Sequence, residues 1–362
     1  MVLVANHSTA VTIAGKDYLY FGGTNYLGLA HRQEIIEAVD RAFEAFGFSA
    51  GASRLTSGEH EILLSLEQEQ AKFANAERSV VLPAGFLSNQ VVVDALDDVV
   101  DIWVMSKNAH SSIQSALRLS RKPIITSDLD VDTTHFRQRF DLPSEYTLGI
   151  FAEPIDPLMG RLVNMQQLMK IVSPRDYLIL DEAHSFGTLG ARGVGALEQF
   201  AMLPSDKLVR TGTFSKALGA YGGFVLGSGD TIDLIKQRSS AYKGSTALPP
   251  PVCAAAREGL RVLINDHRTT IDLLKSNIAW LNERLAALKI AGFVPAQSPI
   301  FYLPNSPPIA KARELLFERG IYLPTISSYF GDFCEIGLRW TIQAGHSESQ
   351  MSRLVDTIKE CL

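Results

Sequence analysis

The sequence of 362 residues predicts an α/β protein, with a large domain on a central, mostly parallel sheet and a smaller α+β domain packed against it. Three observations predict this. Short β-favouring runs alternate with helical segments through the middle of the chain, the pattern of βαβ units. Several of those runs are continuously apolar, as in Tyr177-Leu178-Ile179-Leu180, which suits strands covered on both faces by helices. The chain also exceeds the roughly 250–300 residues at which a single core stops growing, so a second lobe is expected.

Near the start, YLYFGGTNYLGLA reads as a strand running into a Gly-rich loop. The next segment, HRQEIIEAVDRAFEAFG, has helical apolar spacing at Ile35, Ile36, Val39 and Phe43. The loop GFSAGASRLTSG interrupts it, and a second helix is predicted over 59–74. Strands follow in SVVLPA, DIWVMS, KPIITS, TLGIFAE, DYLILDEAH, KLVRTGTFS and GGFVLGS. After Pro249-Pro250-Pro251 the pattern changes to long helices over 252–265 and 268–288, then short strands and a last helix over 347–360. The large domain is accordingly placed at 45–250, and the small one at 1–44 and 251–362.

Hydrophobic residues make up 46% and charged residues 20%, enough apolar material for a large core and unlike a disordered chain. The net charge of -5, without a basic run, argues against nucleic acid as a partner. The first residues, MVLVANHSTAVTIAG, lack the basic flank and apolar length of a signal peptide or membrane span. Cys253, Cys334 and Cys361 are too widely spaced for a zinc site or a disulfide framework, so a metal-free cytoplasmic protein is expected.

Two segments carry chemistry. In DYLILDEAHSFGTLG an apolar strand ends at Asp181, with His184 on the turn beyond; ligands of open α/β sheets sit outside the carboxyl ends of the strands. A carboxylate there is costly unless a cation or hydrogen bonds match it. In TGTFSKALGAYGGFVLG, Lys216 follows another apolar strand, beside Thr213, Ser215 and several glycines. A desolvated lysine amine loses its proton and can attack a carbonyl, and small hydroxyl residues beside it can bind a phosphate.

With these segments the chain resembles the α-oxoamine synthases, pyridoxal 5′-phosphate (PLP) enzymes of the aminotransferase-like fold type I that condense an amino acid with an acyl-CoA. The resemblance spans nearly the whole chain, through TNYLGLA, GASRLTSG, PAGFLSNQ, NAHSS, DEAHSFGTLGARGVG, GTFSKALG, STALPP and GLRWTIQAGH. It implies that Lys216 carries PLP as a Schiff base, that Asp181 pairs with the protonated pyridine nitrogen, that His184 bonds the phenolic oxygen and that His110 stacks on the ring. It further implies a phosphate cradle of Gly85, Phe86, Thr213 and Ser215, completed by Thr246 of a neighbouring subunit in a homodimer. The amino-acid carboxylate is assigned to Arg339 with Asn25 nearby, and Arg54 to the acyl-CoA side.

Taken singly, each residue also has a structural reading. Lys216 could be a surface lysine, Asp181 a turn cap, His184 a partner of a loop carbonyl, His110 a helix-start residue, Arg339 an ion-pair partner at a sheet edge, and Gly85-Phe86 an ordinary strand-to-helix turn. The chain also departs from the family pattern: Leu63 stands where a His is common, with His60 nearby, and Pro157 stands where Ser is usual. Decarboxylative condensation of alanine with an acyl thioester, as in 8-amino-7-oxononanoate synthase, is the leading expectation. Glycine- or serine-using sister activities, transamination and a non-catalytic binding role are the alternatives.

Overall fold

A computed structural model of the chain describes residues 2–129, 135–324 and 337–362, so Cys334 lies outside the described residues. Three N-terminal strands, β1 (Leu3–Asn6), β2 (Ala10–Ile13) and β3 (Lys16–Tyr20), form an antiparallel meander. Helix α1 (Gln33–Phe46) and helix α2 (Glu61–Ala74) follow. The central sheet then takes β4 (Arg78–Leu82), β5 (Ile102–Ser106), β6 (Ile124–Ser127), β7 (Leu148–Ala152), β8 (Tyr177–Asp181), β9 (Leu208–Thr213) and β10 (Gly223–Gly227). Between them lie helix α3 (Gly85–Leu96), after β4, and helix α4 (Ser111–Leu117), after β5. The C-terminal part adds β11 (Ile300–Leu303), β12 (Ile321–Tyr322), which pairs with β3, and β13 (Leu338–Thr341), which pairs with β11.

The central sheet has the order β4-β10-β9-β8-β7-β5-β6, and every predicted strand is present. Only β10 is antiparallel to its neighbours. The reason lies in the connection. Residues 214–222 return directly from β9 to β10, too short a path for the helical crossover that parallel pairing requires. Lys216 sits on that return loop.

Alternate residues of each strand enter different apolar layers. Val80, Trp103, Ile179 and Val225 join one cluster, while Val81 and Phe224 join a second and Val104, Ile150 and Leu178 a third, on the opposite face. The sheet is thus covered on both sides, as its apolar runs require.

Helix boundaries shift by one to three residues from the sequence reading. The helix placed at 252–265 runs Pro250–Asn265, because Pro250 and Pro251 occupy its first turn, where the missing N–H costs nothing. On α1, Ile35, Ala38 and Ala42 face the interior, whereas Ile36 is 45% and Phe43 54% exposed. The inward stripe is narrower than the spacing suggests, leaving a second apolar face on the surface.

One buried ion pair ties the sheet to the site. Arg210 on β9 donates to the Glu182 carboxylate at 2.7 Å, and also to the carbonyls of Ala74 and Val194. Both side chains are enclosed, at 2% and 0% exposure. Removing one partner of such a pair strands a charge, at a cost of about 3–5 kcal/mol. Glu182→Ala should therefore lower unfolding stability by about that much in urea titrations followed by circular dichroism. Arg210→Met added to it should restore part of the loss; an unchanged midpoint in the single variant would show that the pair contributes nothing.

Candidate active site

Residues following the carboxyl ends of four parallel strands meet at one edge of the sheet. His110 follows β5, Glu153 follows β7, Asp181 ends β8 and Thr213 ends β9. Gly85 follows β4 at the opening of α3. The loop between β9 and β10 brings Lys216 to the same edge, and β13 of the C-terminal part brings Arg339 across it. These side chains line one cavity of about 570 Å³, a size typical of small-molecule sites.

Asp181 is 8% exposed and takes part in no ion pair among the described residues. Its oxygens accept from Asn89 Nδ2 at 2.7 Å and from the Ala183 N–H at 3.0 Å. Asn89 stands one turn along α3 from Gly85 and is itself bonded to Thr211 and Ser112, so the carboxylate is held by a rigid network. Across the cavity, Lys216 Nζ lies 2.9 Å from His184 Nε2, and Tyr26 Oη lies 2.7 Å from His184 Nδ1.

Enclosure dominates the protonation states. Desolvation, partly offset by Asp181 and Glu153, brings the Lys216 amine down to about 8. His184 is held well below the ordinary imidazole value, first by desolvation and then by Lys216, Arg339 and His110. Glu153 is pushed well above the usual carboxylate range by desolvation and by Asp181, while the His110 N–H, donated to it at 3.0 Å, acts the other way. The wall therefore favours a neutral imidazole and makes the Glu153 carboxyl easier to protonate than usual.

At the other end of the cavity α3 opens without a side-chain cap at Ala84, leaving its first N–H groups facing outward from the helix end. A Cβ on Gly85 would stand 2.6 Å from the Thr213 side chain, so only glycine allows this close approach. Thr213 Oγ1 and Ser215 Oγ lie 2.7 Å apart beside it. Free helix N–H groups and paired hydroxyls form an anion cradle.

The sequence of residues 16–358 matches the family model for class I and II aminotransferases. The chain belongs to that family. Its enzymes depend on PLP, and this member falls in the α-oxoamine synthase branch. It is 30% identical to an 8-amino-7-oxononanoate synthase of Beijerinckia indica subsp. indica, over 96% of this chain and 89% of the relative. It is 29% identical to a serine palmitoyltransferase of Sphingobacterium spiritivorum, over 97% and 88% respectively. Among solved structures, a serine palmitoyltransferase from S. paucimobilis, with PLP and myriocin bound, superposes with a TM-score of 0.89, covering 99% of this chain and 92% of that one at 22% identity.

The PLP expected of an α-oxoamine synthase fits this cavity on its own observations. The anion cradle, an enclosed carboxylate in no ion pair among the described residues and an amine of lowered basicity line the same cavity. Of the residues the sequence singled out, Gly85, Phe86, His110, Asp181, His184, Thr213, Ser215, Lys216 and Arg339 all line it. His110 lines the cavity and also starts a helix, as its structural reading has it, because its Nδ1 accepts from the Ser112 N–H and so caps α4.

Three expected residues lie elsewhere. Asn25 lines a neighbouring cavity of about 230 Å³, and its Oδ1 accepts from the Ala30 N–H. Arg54 does not line this cavity: its enclosed guanidinium is held by Glu67 and Glu59 and lies over the Tyr242 ring. Thr246 is exposed and bridges to Ser53 outside this cavity. The departure at Leu63 is a core residue, 1% exposed, while His60 precedes α2. The Pro157 carbonyl accepts from Arg339 Nε at 3.0 Å and Nη2 at 2.8 Å, so the backbone at this departure holds the arginine.

Sequence reasoning assigned no role to Tyr26, Asn89 or Glu153. The first two lie inside the quoted TNYLGLA and PAGFLSNQ stretches, but only the fold shows what they touch. Trace acetylation of the chain freed of carbonyl ligands, mapped by mass spectrometry, should show Lys216 titrating near pH 8 rather than at the ordinary 10.5. A midpoint at the ordinary lysine value would remove the case for an enclosed, nucleophilic amine.

Proposed function

We propose that the protein is a PLP-dependent acyltransferase joining a small amino acid, with alanine the first choice, to an acyl-CoA with loss of carbon dioxide, as 8-amino-7-oxononanoate synthases do. The observation that carries this reading is that the Lys216 amine, the Asp181 carboxylate and the Arg339 guanidinium line one cavity. Net, the amino-acid Cα bonds to the acyl carbon, the thioester C–S bond breaks, the substrate carboxyl leaves as carbon dioxide, and CoA departs as the thiol. Bound PLP supplies an aldehyde for the substrate amine and a cationic ring that takes up electron density from Cα.

The residues divide that work. Asp181, fixed by Asn89 and the Ala183 N–H, would hold a proton on the ring nitrogen, since a carboxylate favours an adjacent cation. The helix opening at Gly85 and Phe86, with Thr213 and Ser215, would bind the phosphate. Lys216, released from the cofactor with its lowered basicity, is poised to take and return the Cα proton at Nζ. Arg339 offers a planar fork to the substrate carboxylate. His110 would cover one face of the ring and His184 the phenolic oxygen.

A homodimer belongs to the same reading. Thr246, exposed and away from this chain's cavity, is free to reach the phosphate of a partner. The surface beyond α1 supports this with Phe43 at 54%, Phe48 at 70% and Leu55 at 55% exposure, an apolar set that a second subunit would cover. Among the described residues no helix is long and apolar enough to cross a membrane.

A panel of acyl-CoA thioesters assayed for CoA release with alanine, glycine and serine tests the reaction and its substrate together. Release that requires both an amino acid and a thioester is expected; conversion of the cofactor to its amine form by alanine alone would instead make the enzyme a transaminase. Replacing Arg339 by Lys keeps the charge and loses the two-point fork, a difference of roughly 1.5–3 kcal/mol. Spectroscopic titration of Arg339→Lys should then show amino-acid binding about ten- to a hundredfold weaker, with the cofactor retained. Binding as tight as in the parent would leave Arg339 a structural residue.

A further inference from the structure

The contacts Tyr26–His184–Lys216 are linked by proton counting. Tyr26 is 0% exposed, and its ring packs in the core beneath the cavity. Its carbonyl accepts from the Ala344 N–H and its own N–H donates to the Thr24 carbonyl, so the ring cannot swing away. Among the described residues its hydroxyl has one hydrogen bond, to His184 Nδ1 at 2.7 Å. Burial keeps the phenol protonated throughout the accessible pH range. A buried hydroxyl proton without an acceptor costs about 1–3 kcal/mol, so the hydroxyl donates and Nδ1 accepts.

That choice fixes the other side of the ring. A neutral imidazole carries one proton, which must then be on Nε2, 2.9 Å from Lys216 Nζ. If Lys216 also donated, the imidazole would have no proton and would be an anion, a state that neutral imidazole reaches only far above neutral pH. The doubly protonated ring is disfavoured first by desolvation and then by the electropositive neighbours Lys216, Arg339 and His110. Lys216 in turn faces Asp181 and Glu153, which favour its charged form, and Arg339, which opposes it.

We propose that Tyr26 is a positioning residue that fixes His184 as the Nε2–H tautomer and thereby favours the neutral Lys216 amine, which accepts that hydrogen bond and is the form that a carbonyl-capturing amine needs. The tautomer follows from the geometry of the chain alone; its significance rests on the reading of Lys216 as the cofactor-carrying lysine. Tyr26 touches neither substrate nor cofactor in this scheme and acts only through His184.

The test uses the full chain, labelled with ¹⁵N-histidine and stripped of cofactor. Long-range proton–nitrogen spectra, with the His184 signals assigned by their loss in His184→Gln, should show Nδ1 unprotonated and Nε2 protonated at about pH 9, above the Lys216 midpoint of about 8. In Tyr26→Phe, verified as folded by its melting curve, the two tautomers should mix. The midpoint of Lys216 acetylation should rise by about one unit, which makes capture of added PLP at pH 7 roughly tenfold slower. A parent chain with Nδ1–H overturns the proposal without any variant, and so does a Phe variant in which tautomer and midpoint both stay put. A cofactor found on another lysine would instead refute the functional reading and leave the tautomer result intact.

Discussion

An enclosed carboxylate without a cation is the constraint on which the site depends. Asp181 ends a strand buried on both faces, where a lone charge is unfavourable, yet two hydrogen bonds and no ion pair hold it among the described residues. Such a group is stable only because Asn89, Thr211 and Ser112 form a closed network behind it. Asn89 in turn lies on α3, whose opening provides the anion cradle, so one helix supports both ends of the cofactor site. The antiparallel return of β10 then places Lys216 opposite.

The opposed charges in the cavity are balanced rather than neutralised. Lys216 and Arg339 face Asp181 and Glu153 across a desolvated space, and the result is a lysine of lowered basicity beside a carboxyl pushed well above its usual range. Cavities of this kind favour a ligand carrying separated charges, which describes both PLP and an amino acid. Pro157 adds a backbone contact: its carbonyl accepts from Nε and Nη2 of Arg339.

Much of this was legible in the sequence. Apolar runs gave away the central strands, because a strand covered on both faces cannot hide its composition, and the segments around Asp181 and Lys216 showed the chemistry. What escaped was set by packing in three dimensions. The hydroxyl of Tyr26 meets a histidine far away in sequence, and Arg54 turned out to be neutralised by Glu67 and Glu59, partners that no local pattern reveals. The surface face of α1 was misjudged because periodicity shows an apolar stripe without saying which element covers it.

The attachment of the cofactor tests the central claim most directly. Reduction of the purified holoenzyme with borohydride, followed by proteolysis and peptide mapping, reads out the lysine involved. We expect the cofactor adduct on the peptide that contains Lys216 and on no other. An adduct on a different lysine, or a reduced protein from which PLP still dialyses away, would contradict the assignment of this cavity.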